Sequence, residues 1–404
     1  MTGTTASAFA RLMGGNREAL ALTTRSADID ELIQRRISVV DLTSAGSSVV
    51  PGGPDRRPAV ERKLPTERPV PYPDGLFDGL WIRLGNADQE WGNLQHYARI
   101  LAAGGVMSLT TDTGQDLPGE TLRRVRELGF RVVTPSAADD ATGVDTWNRI
   151  LAIKQPGDSP GSDDCAFCPQ LRFLLNRLEN LPGATGVLWG DEDFFVIPDL
   201  APLDEGHLLV VSVRHELAMG AFPQPVLARL EDHLKRVSRI FRSVYGREAL
   251  FFEHGPATPG EAGSCIDHAH MHCLPAKTRV LGELRQEGVL FGPTSLADLS
   301  LLHRSGKSYL FLQEAGERLC CSAGVEKLPN QMMRRAYSWA SKSDSWRWQT
   351  LYMRTASRHR YMATLNRLLP TVDEILTDLA MTPHRGATQN TRYRSFDVSE
   401  RSEG

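Results

Sequence analysis

Cysteine is scarce in this chain, six residues among 404, and that scarcity excludes a small fold stapled by disulfides. Long apolar runs are missing too. Nothing approaches the roughly 18 residues that a membrane-spanning helix needs, so no membrane partner is expected. The opening, Met1 to Asn16, is polar and small instead of basic and then apolar, which gives no secretory leader and makes a cytoplasmic setting the expectation. Neither sign of charge dominates. A formal net charge of −3 leaves no electrostatic footprint for nucleic acid or an anionic membrane surface. What is present, 41% hydrophobic and 24% charged residues, is ordinary for a globular protein. The length exceeds one common core, so two domains are expected. No internal repeat is visible.

Residues 1–135 read as alternating strands and helices. An apolar run at Ala19 to Thr23 leads to a helical stretch from Ser26 to Arg36, with Ile29, Leu32 and Ile33 at helical spacing, and then to Ile37-Ser38-Val39-Val40. A loop rich in Pro, Gly and Arg follows over Ser44 to Pro73. Strands at Phe77 to Ile82, Val106 to Thr111 and Phe130 to Val133 then alternate with helices at Glu90 to Leu101 and Leu117 to Leu128. That rhythm predicts an α/β domain built on a parallel sheet. Residues 136–163 read as a linker around one short helix. In 164–350, strands at Phe194 to Ile197, Leu208 to Val211 and Ala249 to Phe252 accompany an amphipathic helix from Val226 to Tyr245, an α+β arrangement with antiparallel strands. Residues 351–404 read as a helical extension, with a helix from Thr371 to Met381 after Pro370 and a frayed polar tail.

The chemistry concentrates in Cys265-Ile266-Asp267-His268-Ala269-His270-Met271-His272-Cys273-Leu274-Pro275. Side chains on a strand alternate between faces, so a strand here would put all three imidazoles on one side. Such a row suggests a metal site or imidazole chemistry. The pair in Cys165-Ala166-Phe167-Cys168 has the spacing of zinc ligands, a redox pair or reduced structural thiols. Among other residues, His233 reads as a surface position of its helix, Cys320-Cys321 as a core element, and Arg334-Arg335 as a solvated helix face with phosphate clamping as the alternative.

Two resemblances follow from these segments. Pro71-Tyr72-Pro73-Asp74-Gly75-Leu76-Phe77-Asp78-Gly79-Leu80-Trp81 and Ala98-Arg99-Ile100-Leu101-Ala102-Ala103-Gly104-Gly105 resemble the middle strand, helix and turn of class I S-adenosylmethionine-dependent methyltransferases, which implies a Rossmann-like first domain. That family needs a Gly-rich turn after its first strand, yet the place reads Leu22-Thr23-Thr24-Arg25-Ser26. S-adenosylmethionine is therefore not expected as a cofactor. The domain reads as a degenerate one kept for packing, dimerisation or substrate presentation.

The second domain resembles the histidine triad superfamily. The match is carried in order by Cys165 to Cys168, by Val196 to Val211, by Phe252-Glu253-His254-Gly255 and by Asp267 to Leu274. The resemblance implies nucleotidyl transfer or hydrolysis on a nucleotide substrate through a covalent nucleotidyl-imidazole, with an amine or phosphate as a possible acceptor. His270 would attack the α-phosphorus, His272 would contact phosphate oxygens, and His207 would hydrogen-bond the leaving or entering group. Asp199 is implied for the ribose, Phe195 and Ile197 for the base pocket. Cys165, Cys168, His215 and His268 would hold a structural zinc, as in zinc-bearing triad proteins and galactose-1-phosphate uridylyltransferases. A homodimer is implied as well. The chain departs from the pattern before the triad, where Ser264 and Cys265 stand in place of stronger phosphate donors and phosphate contact would fall to Ser264, and at Glu253 and His254, where smaller members often use Asn or Gln near the nucleotide and where Glu253 would orient His254 or meet an amine.

Overall fold

The computed structural model describes residues 5–14, 17–22, 26–52, 57–63, 70–84, 87–111, 119–133, 149–155, 165–264, 266–325, 328–343 and 345–381. The frayed tail expected from Thr382, the Thr23-Thr24-Arg25 turn and Cys265 lie outside the described residues. Among the described residues no helix is long and apolar enough to cross a membrane.

The first half contains α1 (Thr5–Met13), β1 (Glu18–Leu22), α2 (Ser26–Gln34), β2 (Ser38–Asp41), β3 (Thr43–Val50) and β4 (Ala59–Lys63). It continues through β5 (Phe77–Leu84), α3 (Ala87–Ile100), β6 (Leu101–Thr111), α4 (Gly119–Glu127), β7 (Phe130–Val133) and β8 (Arg149–Lys154). These strands form one mixed sheet in the order β3-β4-β2-β1-β5-β6-β8-β7. From β4 to β6 the neighbours are parallel, whereas β3, β8 and β7 join antiparallel. The central strands are apolar on both faces, with Leu20, Val39, Val40, Leu80 and Met107 fully buried, as a sheet covered on both sides requires.

Three expectations about the chain need correcting. The expected loop at 44–73 contains β3 and β4. Gly46 and the serines of β3 hide a strand that pairs on one side only, and β4 places a charged residue, Arg62, at a wholly buried position. The expected linker at 136–163 contains β8, which lies between β6 and β7, so this sheet runs to Lys154. Finally, Pro370 does not begin a helix.

The second half begins with the turn that carries Cys165 and Cys168, followed by α5 (Leu174–Leu178), β9 (Trp189–Gly190), β10 (Phe194–Pro198), β11 (Leu208–Ser212), α6 (Gln224–Tyr245) and β12 (Ala249–Gly255). Then come β13 (His270–Pro275), α7 (Leu281–Gln286), β14 (Gly292–Pro293), α8 (Leu296–Arg304), β15 (Tyr309–Glu314), β16 (Glu317–Cys321), α9 (Met332–Ala340), α10 (Trp348–Leu351) and α11 (Thr355–Met381). The strands make a separate, wholly antiparallel sheet, ordered β14-β16-β15-β12-β13-β11-β10-β9. One face packs Val210, Met271, Cys273 and Phe251 into the same core as Leu227, Leu230, Leu234, Val237 and Phe241 of α6. Each such side chain contributes roughly 1.5–3 kcal/mol by leaving water. His233 is on that buried face of α6 and not at the surface. It accepts the indole N–H of Trp189 at 2.9 Å through Nδ1 and reaches Asp191 through Nε2, also at 2.9 Å.

α11 runs unbroken through Pro370. Proline removes one backbone donor, and its exposed position here keeps the ring clear of the core. The helix follows the second sheet in sequence yet packs on β3 and β4 of the first. Asp373 pairs with the buried Arg62 guanidinium, which also donates to Tyr72 at 2.8 Å and to the Val187 carbonyl at 3.0 Å. Glu18 of β1 makes a second join: its buried carboxylate accepts the amide N–H groups of Gly183, Ala184 and Thr185 and the Thr185 hydroxyl, at 2.9 to 3.1 Å.

Candidate active site and metal centre

Register fixes the histidines. His272 lies between Leu209 of β11 and Phe252 of β12, and His270 opposite Val211. Residues two apart share a face, so both imidazoles lie on the side away from α6. Phe252 stacks on His272, with centroids 4.5 Å apart at 22°. The strand begins only at His270, and His268 precedes it.

The ring nitrogens of this cluster are assigned by fixed backbone partners. His270 donates from Nδ1 to the His268 carbonyl at 2.6 Å, which leaves the lone pair of the neutral ring on Nε2. The Leu203 N–H can only donate, and it donates to His207 Nδ1 at 3.1 Å. His207 must then carry its proton on Nε2, where it donates to His272 Nδ1 at 3.0 Å. His272 in turn keeps its proton on Nε2. The Gly206 turn that presents His207 has φ of +86°, a conformation suited to glycine, and its N–H donates to Thr364 of α11. Burial holds all three rings neutral: it pushes His207 down to about 3, His272 well below the usual value, and His270 down against the pull of the His268 carbonyl.

Asp199 stands at the end of β10 beside this chain. One oxygen accepts the Ala201 N–H at 2.8 Å, and the other accepts from Arg334 at 2.7 Å and lies 3.3 Å from His207 Nδ1. Desolvation opposes its acidity, and the Arg334 cation with the Ala201 N–H outweighs that and holds its carboxyl below the ordinary value. Asp199, His207 and His272 are close enough together to suggest a second metal site. The Arg334 cation and the committed imidazole nitrogens make the group a hydrogen-bond relay instead. Arg334 is buried, donating also to the carbonyls of Ala201 and Trp346, and so is not on the solvated face expected for it. The signal was present in its company, since Met332, Met333, Ala336 and Tyr337 are all buried on the same helix.

A pocket of about 830 Å³, open solvent at its mouth included, opens on this cluster. His270, His272, Asp199, Ile197 and Arg334 line it, together with Phe167 of the cysteine turn and with Trp348 and Tyr352 near α10. Phe195 shares the strand face of Ile197 but is covered by Phe173, 6.1 Å away, and by Arg172. Glu253 is turned away altogether. It is on the opposite face of β12 from His254, accepts the Met219 N–H at 2.6 Å and the Tyr309 hydroxyl at 2.8 Å, and is pushed up to about 7 by burial. It does not orient His254, whose Nε2 accepts the Met333 N–H at 3.2 Å. Ser264 is buried and donates to the Ile266 carbonyl. The pocket wall thus includes neither Glu253, His254, Ser264 nor Phe195.

Behind the pocket, Cys165, Cys168, His215 and His268 bring their ligand atoms within 4.8 Å of one another. Cys165 Sγ is 3.4 Å and Cys168 Sγ 3.7 Å from His268 Nδ1, and Cys168 Sγ is 3.2 Å from His215 Nδ1. Tetrahedral zinc with its usual sulfur and nitrogen bond lengths has sulfur–nitrogen edges of about 3.5 Å, so the residues fit such an ion. His268 donates from Nε2 to the Ser212 carbonyl at 2.9 Å, which leaves Nδ1 bare toward the thiols, as a ligand requires. Phe167 joins the two sites, its ring 5.6 Å from that of His268 and 5.4 Å from that of His270. Sequence reasoning passed over it as one apolar residue between cysteines.

Residues 158–286 match the family described as "Protein similar to CwfJ C-terminal". No curated protein matches the chain. Similar solved structures include a hypothetical histidine triad nucleotide-binding protein from Sulfolobus tokodaii strain 7, 27% identical over 26% of this chain and 67% of that one, with a TM-score of 0.22. A HIT-like protein involved in cell-cycle regulation from Bartonella henselae is 14% identical over 36% of this chain and 98% of that one, at 0.23. Methyltransferases are among the similar structures as well, including the Burkholderia thailandensis 1,6-didemethyltoxoflavin-N1-methyltransferase, 15% identical over 37% of this chain and 76% of that one, at 0.27.

Proposed function

We propose that the second half is a nucleotidyl hydrolase or transferase of the histidine triad type, acting on a nucleoside phosphoanhydride or phosphoramidate. The observation that carries this reading is the pair of tautomer locks: the His268 carbonyl leaves His270 Nε2 with a free lone pair, and the Leu203 N–H, through His207, leaves His272 Nε2 with a proton. A nucleophile and a donor on one strand face, at one pocket, are what substitution at phosphorus needs.

His270 Nε2 attacks the α-phosphorus, the N–P bond forms, and the bond to the leaving group breaks with its electron pair going to that group. His272 Nε2–H donates to a non-bridging phosphate oxygen, where negative charge gathers. His207 acts through His272, holding its tautomer, which replaces the leaving-group contact implied by resemblance. Water or an amine or phosphate acceptor then attacks phosphorus. The N–P bond breaks, its electron pair returns to His270 Nε2, and the attacking group gives up its proton to solvent. Cys165, Cys168, His215 and His268 would hold zinc, a closed four-ligand ion that braces the turn before β13 and supplies no open coordination position. The first half serves as the platform on which this half is held through Glu18 and Arg62.

The test is to incubate the protein with adenosine and guanosine phosphoramidates and follow mass. Wild type is expected to gain one acid-labile nucleotidyl group on His270, and His270→Ala to lose turnover by about a thousandfold or more. Full turnover by His270→Ala would end this reading.

A further inference from the structure

The pocket has a wall beyond the family match at 158–286, formed by Trp348 of α10 and Tyr352 just after it. Their rings are 6.1 Å apart and inclined at 37°, a splayed pair and not a closed stack. The indole Nε1–H of Trp348 is buried and has no acceptor among the described residues. Buried donors are nearly always paired, so this one points to a partner that arrives with a ligand or a water.

Asn176 of α5 supplies the complement at the same pocket. The Tyr361 hydroxyl donates to the Pro182 carbonyl, so toward Asn176 Nδ2, 3.2 Å away, it can only accept. The same Nδ2 donates to Pro182 at 2.9 Å. These two bonds fix which end of the amide is nitrogen. They leave Oδ1 as an acceptor with no partner among the described residues. One fixed acceptor and one unused donor, with aromatic faces beside them, match the edge and the faces of a heteroaromatic ring.

Resting on the nucleotidyl reading above, we propose that Trp348, Tyr352 and Asn176 recognise the nucleobase. The ring stacks on the aromatic pair, a ring nitrogen or carbonyl accepts from Trp348, and an amino or imino N–H donates to Asn176. A sugar phosphate without a base would leave both polar groups unpaired.

The experiment is calorimetric titration of the full-length protein with AMP, GMP, CMP, UMP and ribose 5-phosphate, run beside the mass assay for nucleotidylated His270. Wild type is expected to bind at least one nucleotide about tenfold or more tighter than ribose 5-phosphate. Trp348→Ala should remove most of that advantage while leaving ribose 5-phosphate binding unchanged. Trp348→Phe, which keeps a ring and loses the donor, should restore part of the affinity and narrow the spread among the four bases. Wild-type affinity for nucleotides in Trp348→Ala, or equal binding of ribose 5-phosphate and nucleotides by wild type, overturns the proposal while leaving nucleotidylation in place. No nucleotidylation and no nucleotide binding in wild type overturns both readings.

Discussion

The buried charges of the first sheet and the triad imidazoles of the second are treated in opposite ways. At the first, charge is closed off: Glu18 accepts four hydrogen bonds, and Arg62 distributes its donors to Asp373, Tyr72 and Val187. On the second, His270 and His272 are each bonded, among the described residues, through Nδ1 alone, and both line the pocket. The difference teaches that burial by itself does not mark a site. A buried charge whose partners are all within the protein holds a fold together, and a buried imidazole with an unused ring nitrogen at a pocket is poised for a ligand.

The comparison can be broken most severely at the metal centre. Stripping metal, or Cys168→Ala, is expected to cost on the order of 5–10 kcal/mol in the second half, because binding energy at a structural zinc is folding energy. Elemental analysis and the denaturant midpoint would read this, and purified protein without stoichiometric zinc would refute it. Next comes Arg62→Met, which strands Asp373 in the core and should cost about 3–5 kcal/mol. Pairing it with Asp373→Asn should recover part of that loss; additive losses would mean the two residues do not act as a pair.

Glu253 sharpens the comparison, because it is a buried carboxyl of the second half whose partners, the Met219 N–H and the Tyr309 hydroxyl, include no cation. Its folded pKa of about 7 is above the ordinary value of 4.5. The folded state therefore holds the proton more tightly than the unfolded chain. The resulting stability is complete below about pH 4.5 and is lost as pH rises to about 7, by up to roughly 3 kcal/mol. Glu253→Gln should gain on wild type across that window and stay level above it. A difference independent of pH would refute the assignment. The smallest expected effect is at Glu18→Gln, which sets an amide N–H₂ against donors that need acceptors and should cost about 2 kcal/mol.

Much of this was legible in the sequence. The period-two row at His270 and His272 announced its strand, although His268 falls in the turn before it, and the cysteine pair announced a cluster that the structure assembles with His215 and His268. What escaped notice involved partners distant in sequence. Arg62 made β4 read as loop because its counter-ion is Asp373, and Arg334 read as solvent-facing because Asp199 cannot be seen from within a helix. Glu253 and His254 adjoin in sequence, yet a strand sends them to opposite faces, so the expectation that one orients the other misjudged the pleat. Pro370 marked the start of a helix on paper because its missing donor was weighed without the packing that α11 gains on both halves.

That helix also sets a timetable. Arg62 and Asp373 are 311 residues apart in the chain. At ordinary rates of synthesis, about 5–20 residues per second, the ribosome needs roughly 15–60 s to pass from one to the other. Throughout that interval β4 carries a cation whose partner has not yet been made, so the half of the protein that emerges first cannot finish folding until the last helix has emerged.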